Sequence, residues 1–255
     1  MSEKNLVPTP PPKPEVKKYK FPTEIVELPS KGLLYPKDNP LSSGKVEMKY
    51  MTAKEEDILT NQNLIEKGTV LERLLEALTM KKFDVKDIAT GDKNAIFMGA
   101  RILGYGSEYK FSYDGEEIVV DLSTIEPKIF DISLPDENGY INFQLPKSQL
   151  DIKFKILTEK DELKITNEIK SLSKFKGDSG GEVTTRLKYQ IVSIKDNDDR
   201  NEIKSFVENH LLAQDSRALR NYIKSISPDV DLTHVLDNGK EIAIPISLNF
   251  FWPDL

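Results

Sequence analysis

The chain has 255 residues, 38% of them hydrophobic and 31% charged, too apolar for global disorder and long enough to bury roughly 70% of its unfolded surface. A formal net charge of −6 gives no general attraction to a nucleic-acid backbone. The absence of cysteine excludes disulfides, thiolate metal sites and cysteine nucleophiles.

No apolar run approaches the ~20 residues of a membrane span, and Met1-Ser2-Glu3-Lys4 has no hydrophobic stretch behind it, so neither a membrane anchor nor a signal peptide is expected. Nine of the 15 prolines fall in the first 40 residues. In residues 1–20, Pro8, Pro10, Pro11, Pro12 and Pro14 precede Lys17-Lys18-Tyr19-Lys20. Each ring fixes φ and removes an amide donor, which favours polyproline II over helix. This arm is read as a disordered tail or a partner-docking peptide. Residues 21–44 mix Phe21, Ile25, Val26, Leu28, Leu33, Leu34, Tyr35 and Leu41 with four further prolines. That composition predicts an extended ribbon lying on a surface, whether of this chain or of another.

Lys45–Met51 alternates like a short strand. Thr52 and Glu55 form a capping-box pattern that opens a helix over about Ala53–Thr60. Val70, Leu71, Leu74, Leu75 and Leu78 make a helical stripe after Gly68-Thr69, and a third helix starts near Thr90 and stops at Gly104-Tyr105-Gly106. Tyr109–Tyr113 and Ile118–Leu122 flank Asp114-Gly115, a pair suited to the primed turns of hairpins. More strands are expected over Ile129–Leu134, Tyr140–Leu145 and Ile152–Leu157. From Glu159 the period is helical. The faces are Ile165, Ile169 and Leu172; Val183, Leu187, Ile191 and Ile194; Ile203, Phe206, Val207 and Leu211; and Leu219, Tyr222, Ile223 and Ile226. Asp199 with Glu202 reads as another helix cap. A second hairpin crosses Asn238-Gly239, with Ile242, Ile244, Ile246, Leu248 and Phe250 on one face of its last strand. The segments 114–122 and 238–246 share glycine, glutamate and isoleucine in register, which is either an internal repeat or chance.

The expected fold class is therefore α+β: helical segments with small antiparallel hairpins behind an extended Pro-rich N-terminal arm. The expected divisions are the arm (1–20), the docking ribbon (21–44), an α+β N-terminal domain (45–158) and a helical domain ending in a β-hairpin (159–255).

No catalytic, cofactor or metal site emerges. Gly177-Asp178-Ser179-Gly180-Gly181 matches Gly-x-Ser-x-Gly, but the two histidines, His210 and His234, both follow Ser179, which excludes the trypsin order of His, Asp, Ser. A hydrolase elbow would need a buried strand before Ser179, and Ile169–Lys176 is helical and charged. Asp196-Asn197-Asp198-Asp199 lacks the glycine and distal glutamate of a calcium loop. Phe250-Phe251-Trp252 places three large aromatics near the C-terminus, either as core or as an anchor for a partner. With Leu28, Leu33, Leu34 and Tyr35 of the ribbon, Phe250, Phe251 and Trp252 are the candidate partner-docking residues.

The run Phe21-Pro22-Thr23-Glu24-Ile25-Val26-Glu27-Leu28-Pro29-Ser30-Lys31-Gly32-Leu33-Leu34-Tyr35-Pro36 resembles the N-terminal signature of the T4-type bacteriophage baseplate hub structural and assembly protein family. Met51–Thr60, Ile65–Leu71, Gly91–Ile96, Ala100–Gly106 and the C-terminal Phe-Phe-Trp-Pro are also similar. The resemblance covers about 21–125 and, more loosely, 215–255. It implies a non-enzymatic protein acting in baseplate and tail assembly through protein–protein contacts, with other hub proteins and the tape-measure protein as partners and with neither nucleic acid nor membrane. Its place would be the host cytoplasm during assembly and the virion tail baseplate. The alternatives are a transient tail-assembly chaperone absent from the mature virion and, remotely, a serine hydrolase centred on Ser179.

Overall fold

A computed structural model of the chain describes residues 22–176 and 181–251. The Pro-rich arm, Ser179 and Trp252 lie outside the described residues.

The ribbon is not extended over its length. Only Thr23–Glu27 is a strand, β1, paired antiparallel with β2 (Lys45–Lys49). Between them residues 28–44 form a closed loop that ends in a 3₁₀ turn over Pro40–Ser43. The loop is shut where Leu28 N–H donates to Gly44 C=O at 2.9 Å. A Cβ on Gly32 would stand 2.4 Å from the Ser42 carbonyl oxygen, and Gly32 has φ +81°; only glycine fits that closure. The prolines that suggested an extended strip serve here as turn and cap residues.

Four helices follow. In α1 (Ala53–Leu59) Thr52 and Glu55 make the capping box. The short α2 (Gln62–Glu66) starts at Asn61, whose side chain accepts from Leu64 N–H; it was too short for its period to show. Then come α3 (Val70–Leu78) and α4 (Thr90–Tyr105). The first hairpin joins β3 (Glu108–Tyr113) to β4 (Glu116–Asp121) through Asp114 and Gly115, both at positive φ, as a type I′ turn requires.

The expected strand at Ile129–Leu134 is absent. The segment finds no partner along its length, only isolated bridges on either side of it, from Pro127 to Val230 and from Pro135 to Ile141. β5 (Ile141–Gln144) and β6 (Asp151–Phe154) are present and pair antiparallel. α5 (Glu159–Lys176) and α6 (Glu182–Gln190) follow. Ile191 and Ile194, expected on the α6 face, belong instead to β7 (Ile191–Ile194), which pairs with β6 and completes a sheet ordered β5-β6-β7. Ile191-Val192-Ser193-Ile194 suits a pleated surface better than a helix turn. α7 (Arg200–Asn209) is capped by Asp199, whose carboxylate accepts from the N–H groups of Asn201 and Glu202. α8 (Ala213–Ile226) leads to the second hairpin, β8 (Thr233–Val235) and β9 (Glu241–Ala243). The last strand stops there, and Leu248–Phe251 forms a 3₁₀ turn, which lets the adjacent Phe250 and Phe251 both point inward. The two hairpins meet: the Lys240 ammonium lies 5.1 Å from the Tyr113 ring centroid, and the Tyr109 hydroxyl donates to Pro245 C=O at 3.2 Å.

The fold is thus α+β, with helices and small antiparallel sheets. Its apolar residues form two clusters. One cluster joins Leu28, Tyr35 and β2 to α3, α4, β3, β4 and the C-terminal Ile244, Phe250 and Phe251. The other joins β5–β7 to α6–α8. Ile156 packs against both, and Glu159 N–H donates to Ile88 C=O at 3.0 Å across the junction.

Candidate contact surface

Leu28 and Tyr35, two of the docking candidates, are buried in the chain's own first cluster. The cause is a polar clamp beneath the loop. Asp92, in the first turn of α4, accepts from Ser30 N–H at 2.9 Å and from the Ser30 hydroxyl at 2.6 Å. The Tyr35 hydroxyl donates to the same carboxylate at 2.5 Å and accepts from Ala89 N–H at 3.1 Å. Ser30 and Asp92 have no exposed surface. Burial raises the pKa of Asp92 above the usual carboxylate range against the pull of the Ser30 and Tyr35 donors. Burial, reinforced by the neighbouring Asp92, also raises that of Tyr35. A lone aspartate at a helix start looks like a dipole partner; nothing local in the sequence joins it to a serine and a tyrosine some 60 residues earlier.

Phe250 and Phe251 are buried as well. Phe251 meets Phe97 edge to face with ring centroids 5.5 Å apart, and Phe250 meets Tyr109 at 4.8 Å. Both belong to the chain's own first cluster. Leu34 is half-buried against the same cluster; its carbonyl oxygen would stand 2.7 Å from a Cβ on Gly139. Of the described candidates only Leu33, 39% exposed, faces outward.

The apolar surface that remains lies elsewhere. Ile129 is 98% exposed and Ile132 64%, while Phe130 between them is buried. Their loop is held firmly at its root. Lys128 N–H donates to Asp229 C=O at 2.7 Å and Asp231 N–H to Glu126 C=O at 3.0 Å, on either side of the Pro127–Val230 bridge. Asp131 accepts from the backbone N–H and the hydroxyl of Ser133, which lowers its pKa and fixes the turn between the two isoleucines. Exposure here does not follow a strand's alternation: Phe130 is buried, while Ile132, two residues on, is exposed.

Ser179 lies outside the described residues, but its flanks are clear: α5 ends at Lys176 and α6 begins at Glu182. The described element before it is a helix and not the strand a nucleophile elbow needs. Among the described residues no cluster of three or more His, Cys, Asp or Glu is placed to hold a metal ion, and no helix is long and apolar enough to cross a membrane.

The family model described as T4 bacteriophage base plate protein matches residues 23–213, well over half of the chain. The chain belongs to this family. The match begins with β1 of the baseplate protein and runs through the Asp92 clamp and α7. It ends before most of α8 and the second hairpin, although Phe250 and Phe251 complete the first core. No curated protein and no solved structure matches the chain.

Proposed function

We infer that this baseplate protein works in assembly of the baseplate hub by contact and without catalysis. Its partners are other hub components and the tape-measure protein. The observation that carries the reading is the presentation of Ile129 and Ile132. Two β-branched side chains stand in solvent on a loop whose base is pinned by hydrogen bonds and by the buried Phe130. Burying such a side chain against a partner is worth about 1.5–3 kcal/mol, and little ordering entropy opposes it because the loop root is already fixed. Leu33 offers a second exposed contact. The buried Leu28, Tyr35, Phe250 and Phe251 shape the body that holds these contacts.

The test is the double variant Ile129→Asp with Ile132→Asp, co-expressed with the other baseplate proteins of the same phage. The expected outcome is an unchanged unfolding midpoint and loss of co-purification. Retained co-purification would refute this surface. Mass spectrometry of purified tails then separates a resident subunit, present in stoichiometric amount, from an assembly factor that leaves.

A further inference from the structure

Among the described residues the outer edge of β1 is open. Pro22 C=O accepts from Tyr50 N–H at 3.2 Å and Leu28 N–H donates to Gly44 C=O at 2.9 Å. Even-numbered residues of this stretch therefore bond to β2, and the backbone groups of Thr23, Ile25 and Glu27 point away from the sheet. Among the described residues β1 pairs with β2 alone. Ile25 is 62% exposed on this edge. Beside it runs a groove of about 280 Å³, lined by Val26, Leu28, Ala95, Met98, Ile102 and Val230. An unpaired edge next to an apolar groove walled by a helix is the geometry that takes up an additional strand.

The surroundings select the kind of strand. Glu24 and Glu27 lie on β1, and Glu126, Asp229 and Asp231 flank the groove residues Pro127 and Val230, against Lys31, Lys45 and Lys128; Glu27 is paired with Lys31 at 3.2 Å and Lys45 at 3.5 Å, which leaves the acidic excess on Glu24, Glu126, Asp229 and Asp231. The rim is acidic, so it fits a basic segment. The residues immediately before the edge are basic: Glu15-Val16-Lys17-Lys18-Tyr19-Lys20-Phe21, outside the described part. They also form a proline-free run, able to donate at every residue. Folding back in the same chain would spend several of them on the reversal and bring Pro14 and the earlier prolines opposite β1, where they have no N–H to give.

We propose that the edge of β1 is completed by residues 15–21 of a second copy of this chain, in a reciprocal antiparallel pair about a two-fold axis at Pro22. Reciprocity requires arm and edge to be contiguous in sequence, as they are. The register centred on Pro22 sets Phe21 opposite Thr23, Tyr19 opposite Ile25, Lys20 opposite Glu24 and Lys17 opposite Glu27. It thus supplies two aromatic–β-branched pairs and two opposite-charge pairs on each half. The register centred on Phe21 would oppose Glu15 to Glu27, and that centred on Thr23 would oppose Tyr19 to Glu27. Pro22 is tolerated at the centre because its phase faces β2, so the new pairing asks no donor of it. Val16, opposite Leu28, covers the apolar groove.

Light scattering coupled to size exclusion on the full-length chain tests this. The wild type is a dimer. Ile25→Pro removes an N–H that bonds nothing within the protein's own sheet, so this variant keeps its circular dichroism spectrum and becomes monomeric. Lys20→Glu and Glu24→Lys each raise the dimer dissociation constant about ten-fold or more, and the two together restore it. The charge swap keeps the question decidable if Ile25→Pro fails to fold. A monomeric wild type at about 100 μM, or a double charge variant no tighter than either single one, overturns the proposal. The outcome is independent of hub capture by Ile129 and Ile132.

Discussion

The Tyr35 hydroxyl stands 2.5 Å from the Asp92 carboxylate and also accepts from Ala89 N–H, so one side chain of the loop ties together two points at the start of α4. Tyr35→Phe leaves the Ala89 amide without its acceptor and Asp92 with one donor fewer. An unmade buried hydrogen bond costs about 1–3 kcal/mol, and that is the expected loss in urea unfolding. Asp92→Ala strands Ser30 N–H, the Ser30 hydroxyl and the Tyr35 hydroxyl together and should cost more. The two changes share a partner, so their effects should be less than additive in a double-mutant cycle. Additive losses would mean that the loop and helix do not act as one unit.

Gly91 gives a prediction opposite to helix propensity. Replacing a helical glycine with alanine ordinarily gains about 1 kcal/mol. Here an added Cβ would stand 1.8 Å from the Pro228 carbonyl oxygen and 2.8 Å from Asp229 Cα, backbone atoms that cannot turn aside. The same junction carries the hydrogen bond from Asn94 Nδ2 to Asp229 Oδ1 at 3.0 Å. Gly91→Ala is expected to destabilise by about 1–3 kcal/mol, the cost of overpacking. A gain in unfolding midpoint would show that residues 228–229 do not press on α4.

These long-range contacts are where sequence reasoning fell short. Local chemistry was legible: the Thr52–Glu55 capping box, the Asp114-Gly115 turn and the Asp199 cap each involve residues within a few positions of one another. The loop at 28–44 was read as extended because its partner, Asp92, is far along the chain and carries no mark of its role. Ile191 and Ile194 fell by coincidence on the helical spacing of Val183 and Leu187; only β6 alongside makes them strand. Phe250 and Phe251 could be core or anchor until Phe97 and Tyr109 were seen against them. In the contact surface, the apolar character of Ile129 and Ile132 was visible, but their exposure depends on Phe130 turning inward and on a bridge to Val230.

Asp215 sets an acid limit on stability. It is fully buried in the first turn of α8, where its carboxylate accepts from Lys147 N–H at 2.6 Å and from Ser148 N–H at 3.0 Å. Burial alone would raise its pKa, but these donors outweigh it and the net shift is downward. The folded state thus holds this proton more weakly than the unfolded chain. The contribution is complete above the unfolded carboxylate value of about 4 and is lost as the pH falls from there through the lower folded value. Asp215→Asn should destabilise at pH 7, by about 1.5–3 kcal/mol for hydrogen bonds to a charged acceptor. It should also flatten the fall in stability below about pH 4. Urea titrations at several pH values measure both, and an unchanged acid limb would assign that limb to other carboxylates.

Phe251 tests whether the C-terminal aromatics belong to the core. Its ring packs edge to face on Phe97 at 5.5 Å and on Phe250 at 5.2 Å, with no exposed surface. Truncating such a side chain costs about 3–5 kcal/mol, through lost transfer energy and the cavity left behind. The same truncation at the exposed Ile129 should stay within about 0.5 kcal/mol. Phe251→Ala is therefore expected to shift the urea midpoint strongly and Ile129→Ala hardly at all. The contrast separates the two kinds of apolar residue in this protein: one kind closes the first core from the far end of the chain, and the other is held out in solvent. Similar small shifts for both variants would place Phe251 outside the core and return it to the set of partner anchors.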